Sequence, residues 1–245
     1  MIDRITPTQR PAERIRGYQK WRSLLFLHWP VPVETIRRLV PSSLEVDTYD
    51  GVAYVGVVPF SMFGVRPGWW PAAWAFDFLE TNVRTYVVRD GKPGVYFFSL
   101  DAANGLAVWA ARQFWGLPYF HAEMSLTTSG DEVTYHTKRH GTGARHDVHY
   151  RVGQPLEPAH PESLEFFFLE RYLLFVEWHN TLYSGQVHHT PYPAHAAEVL
   201  EIEDSLLAAA GIDNCHGLPP FAHYAPGVDV EIYDLHPICQ LASVS

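Results

Sequence analysis

Lysine is nearly absent from this chain: Lys20, Lys92 and Lys138 are the only three in 245 residues. Lysine and arginine together number 18 against 27 aspartates and glutamates, a formal charge of -9, and no basic run exists. Nucleic acid is therefore not an expected partner, because phosphate binding needs clustered positive charge. Cysteine is equally scarce, and Cys215 and Cys239 have neither metal-site spacing nor the numbers of a disulfide framework. They read as free thiols in a reducing compartment. Apolar runs such as Phe166-Phe167-Phe168-Leu169 stop far short of the roughly 20 residues a spanning helix needs. The opening Met1-Ile2-Asp3-Arg4-Ile5-Thr6-Pro7 has no apolar signal core. These scarcities point to a soluble cytoplasmic protein with neither a membrane nor a nucleic-acid partner.

Several chemical signatures are missing as well. There is no Gly-x-Ser-x-Gly elbow and no phosphate-cradling glycine loop. Histidine is plentiful, at 14 residues. Yet His188 and His189, and likewise His146 and His149, point to opposite faces of a strand. His136 and His140 share a face but lie too far apart for one ion. No metal and no cofactor are expected.

What the chain does have is apolar and aromatic surface, 47% and 14% of its residues, enough for a large core or an aromatic-lined cavity. No composition break divides it, so residues 1–245 read as one domain with residues 1–19 as a polar lead-in. Strand patterns recur at 21–29, at 44–60 around the Asp50-Gly51 turn, and at 122–128 and 132–138 around Ser129-Gly130-Asp131. Others follow at 144–152, 172–178, 183–189 and 196–202, and a last hairpin joins 221–224 to 228–233 through Ala225-Pro226-Gly227. Helical spacing is confined to short stretches: Val33, Ile36, Leu39 and Val40 before Pro41; Leu164, Phe167 and Phe168 after Pro161; and a short piece ending at Gly211. Residues 61–75 read as irregular and hold Trp69, Trp70 and Trp74. They form either a hydrophobic flap packed on the core, the favoured reading because tryptophan is usually buried, or a lid over a pocket. The fold class is α+β, mostly antiparallel β, with a few short peripheral helices.

The stretch from Phe78 to Met124 organises the rest. Leu79, Thr81, Val83, Thr85 and Val87 alternate with Glu80, Asn82, Arg84 and Tyr86, a strand signal. The turn Asp90-Gly91-Lys92-Pro93-Gly94 makes the next run its hairpin partner. Leu106, Trp109, Ala110 and Phe114 then recur at helical spacing, with Asp101 as N-cap and Gly116-x-Pro118 as stop. The polar stripe is either the wet face of a sheet or the wall of a site. Four residues along a strand place the Glu80 and Arg84 Cα atoms roughly 13 Å apart, so each needs a partner other than the other.

Phe78-x-Glu80, Gly94-x-Tyr96, an Ala-rich helix reaching Arg112, and Gly116-x-Pro118 resemble the acetoacetate decarboxylase-like superfamily. Glu80-x-Asn82-Val83-Arg84-Thr85-Tyr86 and Leu117-Pro118-Tyr119 are similar to its uncharacterised YqjF-type branch. So are Phe26-x-His28-Trp29 and His189-x-Pro191-Tyr192-Pro193. The resemblance implies a closed β-barrel with a pocket, and leaves a homo-oligomer open because superfamily members are often oligomeric. Members with decarboxylase activity follow Gly-x-Pro with two lysines, one forming a Schiff base that the other activates. Here Tyr119 and Phe120 stand in those places, and neither can form an imine.

The expected site is therefore a pocket for a small organic acid or carbonyl ligand, acting on or binding a partly hydrophobic keto or hydroxy acid. Arg84 would hold a carboxylate, with Asn82, Tyr86 and Trp70 as further binding residues. Glu80 would be general acid or base, Tyr119 a donor to a carbonyl or enolate oxygen, and His121 a proton-transfer group. Such a protein would be a lysine-independent lyase or isomerase. The alternatives are a binding protein without turnover, or an interaction module whose interior its own aromatics fill.

Overall fold

A computed structural model describes residues 2–241, with the side chains of Ala110 and Phe114 outside that description. The described residues form β1 (Gly17–Val31), α1 (Val33–Leu39), β2 (Glu45–Val46), β3 (Ala53–Pro67), β4 (Phe76–Arg89), β5 (Lys92–Ala102) and α2 (Gly105–Trp115). Then come β6 (Tyr119–Ser129), β7 (Glu132–Arg139), β8 (Arg145–Pro155), α3 (Leu164–Leu169), β9 (Leu173–Trp178), β10 (Thr181–His188), β11 (His195–Asp204), α4 (Leu206–Ala209) and β12 (Phe221–Gln240).

The strand order is β10-β9-β5-β6-β7-β8-β11-β12-β1-β3-β4-β2, antiparallel except where β5 meets β6 and β9. Further pairings of β10 with β12 and of β4 with β5 curl the sheet back on itself. Three residue pairs join β5 to β6, two join β5 to β9 and two join β11 to β12, so the expected closed ring is partial.

β4 is central, and residues 80–88 are buried on both faces. Val83 and Val87 pack with Leu25, Leu27, Val55, Val57, Tyr135 and Tyr150 on one side. Tyr86 packs with Phe26, Tyr54, Val58, Phe60, Phe167 and Phe168 on the other. Neither face of the alternating strand is wet, so the polar stripe lies inside the protein.

Several local expectations change in the assembled sheet. The Asp50-Gly51 turn forms, with φ of 50° and 78°, but β2 pairs with β4 and not with β3. Residues 221–233 make no hairpin: β12 runs straight through, and Pro226 falls between the pairs Arg22↔Gly227 and Leu24↔Ala225. Opposite it stands Ser23 at φ 53°, unpaired between two pairs in unbroken register, a place where a missing N–H is tolerated. Asp101 lies in β5, and Asn104 caps α2 by accepting from Leu106 N and Ala107 N at 3.0 Å. Val108 and Ala111 form the buried side of α2, whereas Leu106 and Trp109 are exposed. The tryptophan flap is not packed away either, since Trp69 is 77% and Trp74 65% exposed.

Gly116 ends α2 in the left-handed region at φ 62°, and a Cβ there would stand 2.5 Å from the Trp178 ring. Gly116→Ala is expected to lower the stability by about 2 kcal/mol, measured by urea unfolding, from strain and overpacking together. An unchanged midpoint would show that the α2–β6 corner yields freely.

Candidate functional site

β3, β4 and β5 set the site by register. Phe60 and Ala102 flank Glu80, Val58 and Leu100 flank Asn82, and Gly56 and Phe97 flank Arg84. Glu80, 3% exposed, accepts a hydrogen bond from the Tyr119 hydroxyl at 2.7 Å. Burial pushes the Glu80 carboxyl up to about 8, and holds the Tyr119 hydroxyl well above its ordinary range. At neutral pH Glu80 therefore carries a proton, which suits it to be an acid rather than a base.

Arg84 occupies the other end of the stripe. Its Nη2 donates to the Phe168 carbonyl at 3.0 Å and lies 3.5 Å from the Tyr86 hydroxyl, and its guanidinium lies 5.4 Å from the centre of the Phe26 ring. Among the described residues no carboxylate pairs with it, and its Nε has no partner although the residue is buried. The Tyr86 hydroxyl also donates to the Phe168 carbonyl, at 3.1 Å. α3 thus turns one main-chain oxygen onto both β4 residues. The Asn82 Oδ1 between the two ends is likewise buried and unpartnered.

Two expected members stand elsewhere. His121 is exposed, with its ring 4.5 Å from that of His140 and against Gly105. It shares the strand side of Tyr119, but two residues of extended chain carry it roughly 7 Å outward past α2. Trp70 stacks on Trp69 at 5.6 Å and meets Trp74 and Phe76 edge-on, within the flap. Two surface clefts of about 310 and 320 Å³ also lie away from the stripe, one lined by residues such as Arg89, Lys92 and Tyr233 and the other by Arg14, Tyr18 and Trp69. The Arg84–Tyr86 end of the stripe is covered by Phe167 and Phe168.

His28, His189 and Tyr192 join the Arg84 end without having been assigned roles from the sequence. His28 Nε2 lies 2.6 Å from the Tyr86 hydroxyl, its ring stacked on Phe168 at 3.9 Å. Gly56 permits this, because a Cβ there would meet the His28 ring at 3.1 Å. Burial first, and then the Arg84 charge, holds His28 well below its ordinary range. His189 stacks on Tyr172 at 4.4 Å and lies 4.6 Å from Tyr192, whose ring meets Phe26 at 5.1 Å. Glu170 fixes this group, accepting from the Tyr172 hydroxyl at 2.5 Å and from Tyr192 N at 3.0 Å. Burial pushes His189 down to about 4, with Arg84 among the charges that it feels. No cluster of three or more His, Cys, Asp or Glu able to hold a metal ion occurs among the described residues.

Uncharacterized protein YqjF of Bacillus subtilis is 39% identical over 225 residues, covering 89% of this chain and 90% of its own. Among solved structures, the enduracididine biosynthesis enzyme MppR complexed with pyruvate matches at TM-score 0.67 and 12% identity, over 95% of this chain and 94% of that one. Acetoacetate decarboxylase from Legionella pneumophila matches at TM-score 0.65 and 14% identity, over 95% and 93%. At such identities these likenesses establish the fold alone. The model of an uncharacterized conserved protein family, DUF2071, matches residues 18–229. The chain belongs to that family, as a YqjF-type protein on the acetoacetate decarboxylase-like fold.

Proposed function

We propose that Arg84 receives the carboxylate of a small, partly apolar keto or hydroxy acid. One observation carries this reading: a buried guanidinium without a carboxylate partner among the described residues. An unmatched buried charge is unfavourable, and a ligand carboxylate in bidentate contact removes that penalty. Successive same-face positions on a strand lie roughly 7 Å apart. An acid seated on Arg84 therefore extends toward Asn82 and then Glu80, with Phe26, Phe97 and Leu100 beside its apolar part. Glu80, protonated at neutral pH and bonded to Tyr119, would give a proton to an enolate or a departing hydroxyl.

This makes the protein a lysine-independent lyase or isomerase. Lys20, Lys92 and Lys138 are all exposed, so none has the desolvated setting of an imine-forming amine. One fold neighbour was solved with pyruvate, a small keto acid. Binding without turnover is the second reading, favoured by the packing of Phe167 and Phe168 over Tyr86 at the Arg84 end.

Calorimetric titration with short keto and hydroxy acids, and with their methyl esters, tests the proposal. The acids are expected to bind and the esters not, and Arg84→Met to weaken the acids by roughly 100-fold. Esters that bind as well as acids, or an Arg84→Met protein of unchanged affinity, would overturn it.

A further inference from the structure

The hydrogen atoms around Arg84 can be counted. The Thr190 carbonyl can only accept, so at 2.7 Å His189 Nδ1 must be the donor. Neutral His189 has one ring proton, and its Nε2 is therefore a bare lone pair, buried and unpartnered. The Tyr86 hydroxyl gives its proton to Phe168, so it accepts from His28 Nε2. His28 Nδ1 is then bare as well, but it points away from Tyr86 and Arg84, because the two nitrogens of one ring diverge. His189 Nε2 is the bare acceptor of this group, its ring within the field of the Arg84 charge and walled by the Trp21, Tyr172 and Tyr192 rings. Asn82 Oδ1 adds another on the stripe itself.

A carboxylate alone answers only the donors of Arg84. It offers no hydrogen to His189 Nε2 or Asn82 Oδ1, and a keto oxygen would set one lone pair against another. A hydroxyl has the proton these acceptors lack, and a buried acceptor discriminates strongly against a ligand that leaves it unpaired. We infer that the ligand of this site is a hydroxy acid, its carboxylate on Arg84 and its O–H donated to His189 Nε2. The inference rests on the carboxylate reading of Arg84.

A matched four-carbon series separates the two. Butyrate, 2-hydroxybutyrate, 3-hydroxybutyrate, 2-oxobutyrate and acetoacetate are titrated into the full-length protein by calorimetry. One hydroxy acid is expected to bind at least tenfold more tightly than butyrate and than the oxo acid of the same position. His189→Phe keeps the stacking on Tyr172 but removes the acceptor, so that advantage should vanish while butyrate affinity persists. If butyrate and the oxo acids bind as tightly as the hydroxy acids in the wild-type protein, the hydroxyl assignment fails and the carboxylate reading stands. If none of the five binds, both fail, and the bare acceptors hold only water. The wild-type series decides the matter even if the His189 variant does not fold.

Discussion

Glu80→Gln is expected to change how stability depends on pH more than it changes stability at any one pH. Burial holds the Glu80 carboxyl at about 8 in the folded protein, against 4.5 when unfolded. A raised folded value means that the native state prefers the protonated form. Its contribution is fully present below 4.5 and is lost progressively as pH rises through 8. Carrying a carboxyl over that range corresponds to roughly 5 kcal/mol between its two protonation states. Glutamine keeps the shape and cannot ionise. The difference in unfolding free energy between the two proteins should therefore move by about 4 kcal/mol between pH 5 and pH 9, in favour of Gln at the alkaline end. Urea unfolding at several pH values measures it, and titrations common to both proteins cancel in the difference. Parallel curves would mean that Glu80 is ionised in the fold, which would remove it as a proton donor at neutral pH.

Much of this arrangement was legible in the chain. The period of two placed Glu80, Asn82, Arg84 and Tyr86 on one face, and the β3 partners Phe60, Val58 and Gly56 keep that alternation, whereas on β5 the register slips by one residue between Leu100 and Phe97. The turn at Asp90-Gly91, with φ of 52° and 74°, has the left-handed backbone that a tight hairpin requires. Which face would be buried was not legible, because the rule that one face is wet fails for a strand covered on both sides. Long-range pairing was equally hidden. Nothing near Glu45 says that β2 will join β4, and nothing near Pro226 says that an unpaired Ser23 opposite it lets β12 continue. Tryptophan misled in the opposite sense, since a residue that is usually buried stands exposed at Trp69 and Trp74.

The candidate site was half visible for the same reason. Glu80 and Arg84 announce themselves as charged residues in an apolar strand. His28, His189 and Tyr192 come from distant parts of the chain and look like ordinary loop or strand residues. They lie within Phe26-x-His28-Trp29 and His189-x-Pro191-Tyr192-Pro193, motifs that carried the family resemblance without carrying a role. Only the fold brings them to Arg84. His121 was chosen for its chemistry and its strand parity, but the face of β6 that it shares with Tyr119 is already exposed where it stands, while Ala122 on the other face is still buried.

Removing the Asp101 carboxylate should cost far more than removing the Arg84 guanidinium, although both are buried charges. Asp101 takes two hydrogen bonds from Arg139, at 2.6 and 2.8 Å, with side-chain exposures of 0% and 5%. Arg139 also lies 3.9 Å from the centre of the Phe120 ring, a cation–π contact on the same largely buried charge. Asp101→Ala strands that charge, and a loss of about 3 to 5 kcal/mol is expected in urea unfolding. Replacing both partners, as Asp101→Leu with Arg139→Met, should recover most of it, because no charge is then left unpaired. Arg171 is matched in the same way by Asp47 at 2.7 Å. Among the described residues Arg84 is the buried guanidinium without a carboxylate partner, so Arg84→Met should change the stability by less than about 1 kcal/mol in either direction. A loss for Arg84→Met as large as that for Asp101→Ala would make Arg84 a structural residue and remove the ground for assigning it a ligand. A small change, together with loss of carboxylate binding, would identify a charge kept in the core for what it binds.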